Sequence, residues 1–113
     1  MADGKALVRS RDGHQCQRCG VSIVNIPSSI HHRKLRSQGG QDDASNMIRM
    51  CGTGTTGCHG WAHGNRTLAR LDGWIVYRID NPDERPVQTF TRGWVLLDDN
   101  GGYGPCLPPR QVG

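Results

Sequence analysis

Apolar material is scarce in this chain. Only 35% of its residues are hydrophobic and 5% aromatic, with a single phenylalanine, two tyrosines and three tryptophans. Nowhere does an apolar run approach the roughly 20 residues that a membrane-crossing helix needs, and "MADGKALVRS" at the start lacks the apolar stretch of a secretory signal. A membrane protein and a secreted precursor are thereby disfavoured, and the expected location is the cytoplasm. With 113 residues there is room for one small domain and no second core. A chain with so little apolar surface and 16 glycines buries too little to offset its backbone entropy unaided. Disulfides or a structural metal commonly make up that deficit in small domains.

Cysteine and histidine, by contrast, are plentiful: five of each. Thiols stay reduced in the cytoplasm, so paired cysteines there point to zinc ahead of disulfides. Cys16 and Cys19 in "CQRCG" stand two residues apart before a glycine, a turn that aims two thiolates at one ion. Cys51 and Cys58 form a looser second pair. Four thiolates would close a tetrahedral zinc shell and leave no position for water, which describes a structural site. His14 could replace one ligand, and Cys106 is left over as a free thiol. Net charge is +4 with a pI near 9.0, a balance that suits a polyanionic partner.

Along the chain, "KALVRSRDG" reads as a short helix stopped at Gly13. "VSIVNI" and "SSIHH" lean towards strand, interrupted by Pro27. "RSQGGQDDAS" is a polar loop, "NMIRM" a second strand, "GTGTTG" a connector, and Cys58 to about Leu71 a helix weakened by Gly60 and Gly64. Beyond Gly73, "WIVYRI", "VQTFT" and "WVLLDD" read as strands, and "NGGYGPCLPPRQVG" as a tail poor in packing residues. The expected fold class is α+β in one domain over 1–113, with its core at about 5–70, a β-rich segment at 71–99 and a flexible tail at 100–113. Trp61, Trp74 and Trp94 are expected in the core and not as base-stacking platforms.

Four of the five histidines lie between Ile30 and His63. His59 and His63, four apart, project from one face of a helix and can reach a common ion or phosphate. His31 and His32 are adjacent, so on a strand they point to opposite faces. One can join a metal with the helix pair while the other handles a proton. Two or three protein ligands leave open positions for phosphate oxygen and water, the reverse of the cysteine site. A neutral imidazole, with an ordinary pKa near 6.5, can accept a proton from water at working pH. Arg33, Lys34 and Arg36 add positive charge beside it, as phosphate contacts or as solvated surface.

Taken in order, "CQRCG", "HHR", the Gly39–Gly40 pair, "SNMIRMC" and "GCHGWAH" resemble the HNH endonucleases of the ββα-metal superfamily, in particular the small zinc-stapled type of phages and bacteria. The resemblance covers about residues 5–65. It implies a ββα-metal motif with a four-cysteine structural zinc site (Cys16, Cys19, Cys51, Cys58) and a C-terminal β-rich extension. It makes His31 a metal ligand, His32 the general base, Asn46 the residue that holds the connecting loop, and His59 the metal ligand on the helix. His63 becomes a third ligand or a phosphate contact. The implied activity is metal-dependent hydrolysis of DNA phosphodiester bonds, by nicking or double-strand cutting, with magnesium, manganese, nickel or zinc as the catalytic ion. The implied partner is double-stranded DNA. Because phage relatives often lie beside the packaging terminase, a role in DNA packaging in a phage-infected or bacterial host cell follows as well. The spacing of Cys51 and Cys58 is longer than the CxxC of many relatives, and a lysine common after the helix histidine is missing. The competing expectations are a non-catalytic, zinc-stabilised DNA-binding module and a protein-interaction factor that displays the C-terminal strands.

Overall fold

The computed structural model describes residues 3–108; the last residues of the expected tail, 109–113, lie outside them. Helix α1 (Gly4–Asp12) opens at Asp3, whose side chain accepts from the Lys5 backbone N–H, and closes at Gly13, where φ of 64° lets the N–H reach back to the Arg9 carbonyl. The chain then turns through the Cys16–Cys19 knuckle. Strands β1 (Ser28–His32) and β2 (Met47–Cys51) pair antiparallel, with His31 opposite Ile48 and His32 opposite Met47. Helices α2 (Gly57–Gly64) and α3 (Arg66–Leu71) follow, then a second sheet of β3 (Val87–Thr89), β4 (Gly93–Leu97) and β5 (Tyr103–Pro105) in the order β3-β4-β5. This is a mixed helix and sheet fold, with strands C-terminal to the hairpin–helix unit. Among the described residues no helix is long and apolar enough to cross a membrane.

The hairpin lies between two helices, and the alternation of its strands assigns a partner to each face. Ile48 and Met50 enter the main core beside Ala62 of α2, together with Trp74, Ile75, Val87, Val95 and Leu97. Met47 turns the other way and joins Val8 and Leu7 of α1 with Ile30 of β1. His31 therefore lies on the α2 side and is fully buried, while Ile30 and His32 lie on the α1 side.

Several local expectations need correction. Residues 21–26 form no strand: only Ser22 makes an isolated bridge, to Gln15, and Val24 and Ile26 are exposed. Their role is to carry the chain from the knuckle to β1, which needs no ladder. The single helix expected from Cys58 to Leu71 is two, divided at Asn65, whose backbone (φ −134°, ψ 55°) is not helical. "WIVYRI" is irregular. Trp74, Ile75 and Val76 are buried there as core fillers, and the backbone bonds outside any sheet, with the Val76 N–H on the Arg33 carbonyl at 3.0 Å. Hydrophobicity marked burial for these three residues, but Tyr77 and Ile79 are exposed and the segment forms no strand. The tail, in turn, contributes β5, because Asp98 accepts from the Asn100 and Gly102 N–H groups, both at 2.8 Å, and turns the chain back against β4.

Arg33 is corrected too. It is no surface cation: its side chain is wholly buried, and its guanidinium donates to the carbonyls of Gly73 (2.8 Å), Ser45 (3.0 Å), Pro82 (2.9 Å) and Arg85 (2.6 Å). A fork of this kind can satisfy several carbonyls at once, which lysine cannot. Gly60, unfavourable in helix terms, is explained by packing, since a Cβ there would collide with the Thr55 backbone. Among the tryptophans Trp74 is fully buried. Trp61 packs against the main core under the Arg18 guanidinium, 3.6 Å from the ring centre.

Candidate metal centres and catalytic cleft

Two clusters of metal-ligating side chains form, and they share elements. The first gathers Cys16 and Cys19 from the knuckle, Cys51 from the end of β2 and Cys58 from the first turn of α2, with all four sulfurs within 4.8 Å of one another. Cys19 Sγ and Cys51 Sγ are 3.8 Å apart. A tetrahedral zinc with Zn–S bonds of about 2.3 Å requires an S···S edge of about 3.8 Å, so the four cysteines are positioned to bind a metal such as zinc. Backbone N–H groups already point at sulfur, that of Cys19 at Cys16 Sγ (3.5 Å) and that of Cys58 at Cys51 Sγ (3.4 Å). Burial opposes the Cys16 thiolate, but the N–H donors of Cys19, Cys51 and Arg18 outweigh it and bring its pKa down to about 7. Burial pushes the Cys58 thiol up, against a contact from Arg18 at 3.4 Å. The longer Cys51–Cys58 spacing is accommodated because Gly52 and Gly57 take positive φ at the two ends of the connector. His14 is exposed and Cys106 is a free thiol; neither is in either cluster.

The second cluster is His31 of β1 with His59 and His63 of α2. Their ring centres are 5.1 Å apart for His31–His59, 5.5 Å for His31–His63 and 4.6 Å for His59–His63. Nε2 of His63 lies 2.9 Å from Nε2 of His59. Most informative is His31, whose Nε2 lies 2.6 Å from the Trp74 carbonyl while its buried Nδ1 has no partner. A carbonyl only accepts, so Nε2 carries the proton and Nδ1 keeps its lone pair. Metal-ligating histidines are commonly held this way, with the far N–H fixed by a carbonyl. Burial lowers the pKa of His31 to about 3 and that of His59 to about 4, and lowers that of His63 as well. Neutral donors with an orphaned nitrogen fit a divalent ion.

His32 leaves the opposite face of β1. Its Nε2 lies 2.7 Å from Asp42 Oδ1, and Arg36 donates to both oxygens of the same carboxylate, at 3.0 and 3.3 Å. The hydrogen bond to His32, with charge from Arg36 beside it, holds Asp42 below the usual carboxylate range. Asn46 bridges the loop from within: its Oδ1 accepts from the Lys34 N–H (2.6 Å), and its Nδ2 donates to the carbonyls of Lys34 (3.1 Å) and Gln41 (2.9 Å). The Asn46 carbonyl accepts from the Arg33 N–H (2.8 Å), directly after His32. Sequence reasoning did not single out Asp42 or the Trp74 carbonyl. An aspartate ten residues from a histidine in a polar loop carries no periodic signal, and a backbone carbonyl carries none at all.

A β-hairpin and a helix that bring one strand histidine against two helix histidines, beside a cysteine-bound knuckle, define a hairpin–helix metal module. The HNH endonuclease family model matches residues 16–63, from the first knuckle cysteine to the last histidine of the cluster. That segment thus matches an HNH nuclease domain, a likeness that suggests nuclease activity on DNA. Comparison with curated proteins and with solved structures gave no match.

Proposed function

We propose that this protein is a divalent-metal-dependent endonuclease that hydrolyses DNA phosphodiester bonds, with His32 as proton acceptor. The observation that carries the reading is the orphaned, buried Nδ1 of His31 on a ring packed beside two helix histidines. A DNA-binding module without catalysis has no use for it. His31, His59 and His63 would hold the ion, and Cys16, Cys19, Cys51 and Cys58 a structural zinc. A divalent ion so held supplies charge that stabilises the developing negative oxygens of the phosphoryl group.

The remaining steps belong to side chains. Asp42 accepts a hydrogen bond from the Nε2–H of His32, which leaves Nδ1 with its lone pair as the base that accepts a proton from the attacking water. Arg36 keeps Asp42 ionised, and Asn46 keeps the Lys34–Gln41 loop, and with it Asp42, closed over His32. Water attack at phosphorus breaks the bond to the 3′ oxygen, and the products are a 3′ hydroxyl and a 5′ phosphate. Work beside a packaging terminase extends this reading through the family resemblance and is tested separately, by co-purification.

The direct test is His32→Ala assayed on supercoiled plasmid with magnesium, manganese, nickel and zinc in turn. Nicking should fall at least a hundredfold, in line with loss of a general base, while zinc content and DNA affinity stay at parental values. Cleavage equal to the parent's removes His32 from the mechanism.

A further inference from the structure

On the α1 side of the hairpin lies a cleft of about 330 Å³ lined by Lys5, Arg9, Ser28, Ser29, His32 and Arg49, with Ile30 in its floor. None of the lining residues is acidic. Lys5 and Arg9 stand four apart and so share a face of α1, and Arg49 comes from β2 opposite Ile30. The nearby carboxylates are already engaged: Asp42 by His32 and Arg36, Asp12 by Arg11 at 2.7 Å and by the Arg49 N–H at 3.0 Å, and Asp3 by the α1 cap. Arg49 is fixed by donation to the Gly13 carbonyl at 2.8 Å, while its buried Nε has no partner. The Ser28 hydroxyl, which accepts from Arg49 at 3.5 Å, supplies a further donor, whereas that of Ser29 is committed to the Gly52 carbonyl at 2.8 Å. The result is a positively charged trough without a carboxylate, with His32 in its wall and Arg49 held in place.

We infer that this trough is a second phosphate site, in which α1 and Arg49 grip the backbone of duplex DNA next to the phosphodiester addressed by His32. The inference rests on the nuclease reading for the identity of its ligand, and the shared His32 wall ties the two together. A strand seated there meets Lys5 and Arg9 as point charges and Arg49 as a rigid fork, contacts that position a polymer without reading its sequence. The N-terminal helix, which lies ahead of the matched HNH segment, thereby becomes part of the substrate surface.

The test uses the zinc-loaded full chain and a fluorescently labelled DNA duplex, with affinity read by anisotropy across a sodium chloride series without added divalent ion. Each phosphate contact contributes about 0.9 to the slope of log affinity against log salt. Lys5→Ala with Arg9→Ala should flatten that slope by nearly two and weaken binding some tens-fold at 0.1 M salt, by the same rule. Both side chains lie outside the core, so the unfolding midpoint checks that the fold survives. Arg78→Ala, an exposed cation outside the trough, should shift affinity less than twofold. Parental slope and affinity in the double variant overturn the inference, even if the parent cleaves DNA. Trough-dependent binding by a parent that cleaves with none of the four ions upholds the inference and removes the nuclease reading instead.

Discussion

Replacing Arg33 should cost this fold more than any change to an exposed cation. Its guanidinium satisfies four carbonyls, two of them, Gly73 and Ser45, in buried surroundings. In Arg33→Met the Pro82 and Arg85 carbonyls can turn to water, while those of Gly73 and Ser45 cannot. A buried group left unsatisfied costs about 1–3 kcal/mol, so two cost roughly 2–6. Relief from burying a charge works the other way: burial, with Arg11 nearby, already lowers the Arg33 pKa to about 9, although it stays charged at neutral pH. The middle of that range, about 3–5 kcal/mol for two unsatisfied carbonyls, is a large part of the 5–15 expected for a whole domain. Urea unfolding at fixed zinc measures it. Arg33→Met should lose about 3–5 kcal/mol, and Arg33→Lys nearly as much, because an ammonium cannot span four acceptors. A loss below about 1 kcal/mol for Arg33→Met, measured on the same scale, would refute the argument that this fork joins the hairpin to the C-terminal region.

Other consequences follow from the same geometry. Cys51→Ser should abolish stoichiometric zinc binding and lower the unfolding midpoint, whereas His59→Ala should keep one zinc per chain with the fold intact and lose cleavage; metal analysis of both variants decides. Asp42→Asn should lower kcat by about tenfold or more with KM little changed, and Asp42→Glu should recover part of it; an effect on KM alone would make Asp42 a binding residue. Burial holds the folded pKa of His31 at about 3, against an ordinary value near 6.5. The unfolded chain therefore binds the extra proton first. The stability that this neutral histidine contributes is complete above about pH 6.5 and is lost as pH falls towards 3. Between about pH 5.5 and 4, His31→Gln should reduce the slope of stability against pH by about 1.4 kcal/mol per unit, one proton's worth. Parallel slopes for parent and variant would show that His31 is not held neutral.

The site was legible where spacing alone fixes direction. Adjacent histidines on a strand must part, and histidines four apart on a helix must converge, so the parting of His31 from His32 and the convergence of His59 and His63 could be stated from sequence. The hairpin and α1 were legible from local signals: the β-leaning runs "SSIHH" and "NMIRM" pair as β1 and β2, and Gly13 stops α1. What escaped depends on long-range satisfaction. Trp74, Ile75 and Val76 look like strand, but the Val76 N–H goes to the Arg33 carbonyl, the Trp74 carbonyl to the His31 ring and the Trp74 N–H to the Ala69 carbonyl. Arg33 looks like surface until its four carbonyls, at positions 45, 73, 82 and 85, are brought together by folding. β5 was hidden among glycines and prolines because a single aspartate, Asp98, makes the turn that pairs it.

The two clusters form one mechanical unit. Cys51 ends β2 in register with Ser28 at the start of β1, and Cys58 directly precedes His59 in α2. A metal held by these cysteines joins the hairpin that carries His31 to the first turn of the helix that carries His59 and His63. No disulfide and only a modest core otherwise hold those elements in register, and Gly52, Gly57 and Gly60 leave the connection itself conformationally permissive. A metal closed in by the cysteines would thus set the spacing of the histidine cluster. Removal of zinc should consequently disperse the histidine cluster before the α1 side of the hairpin loosens, because Val8, Met47 and Ile30 pack there without help from any cysteine.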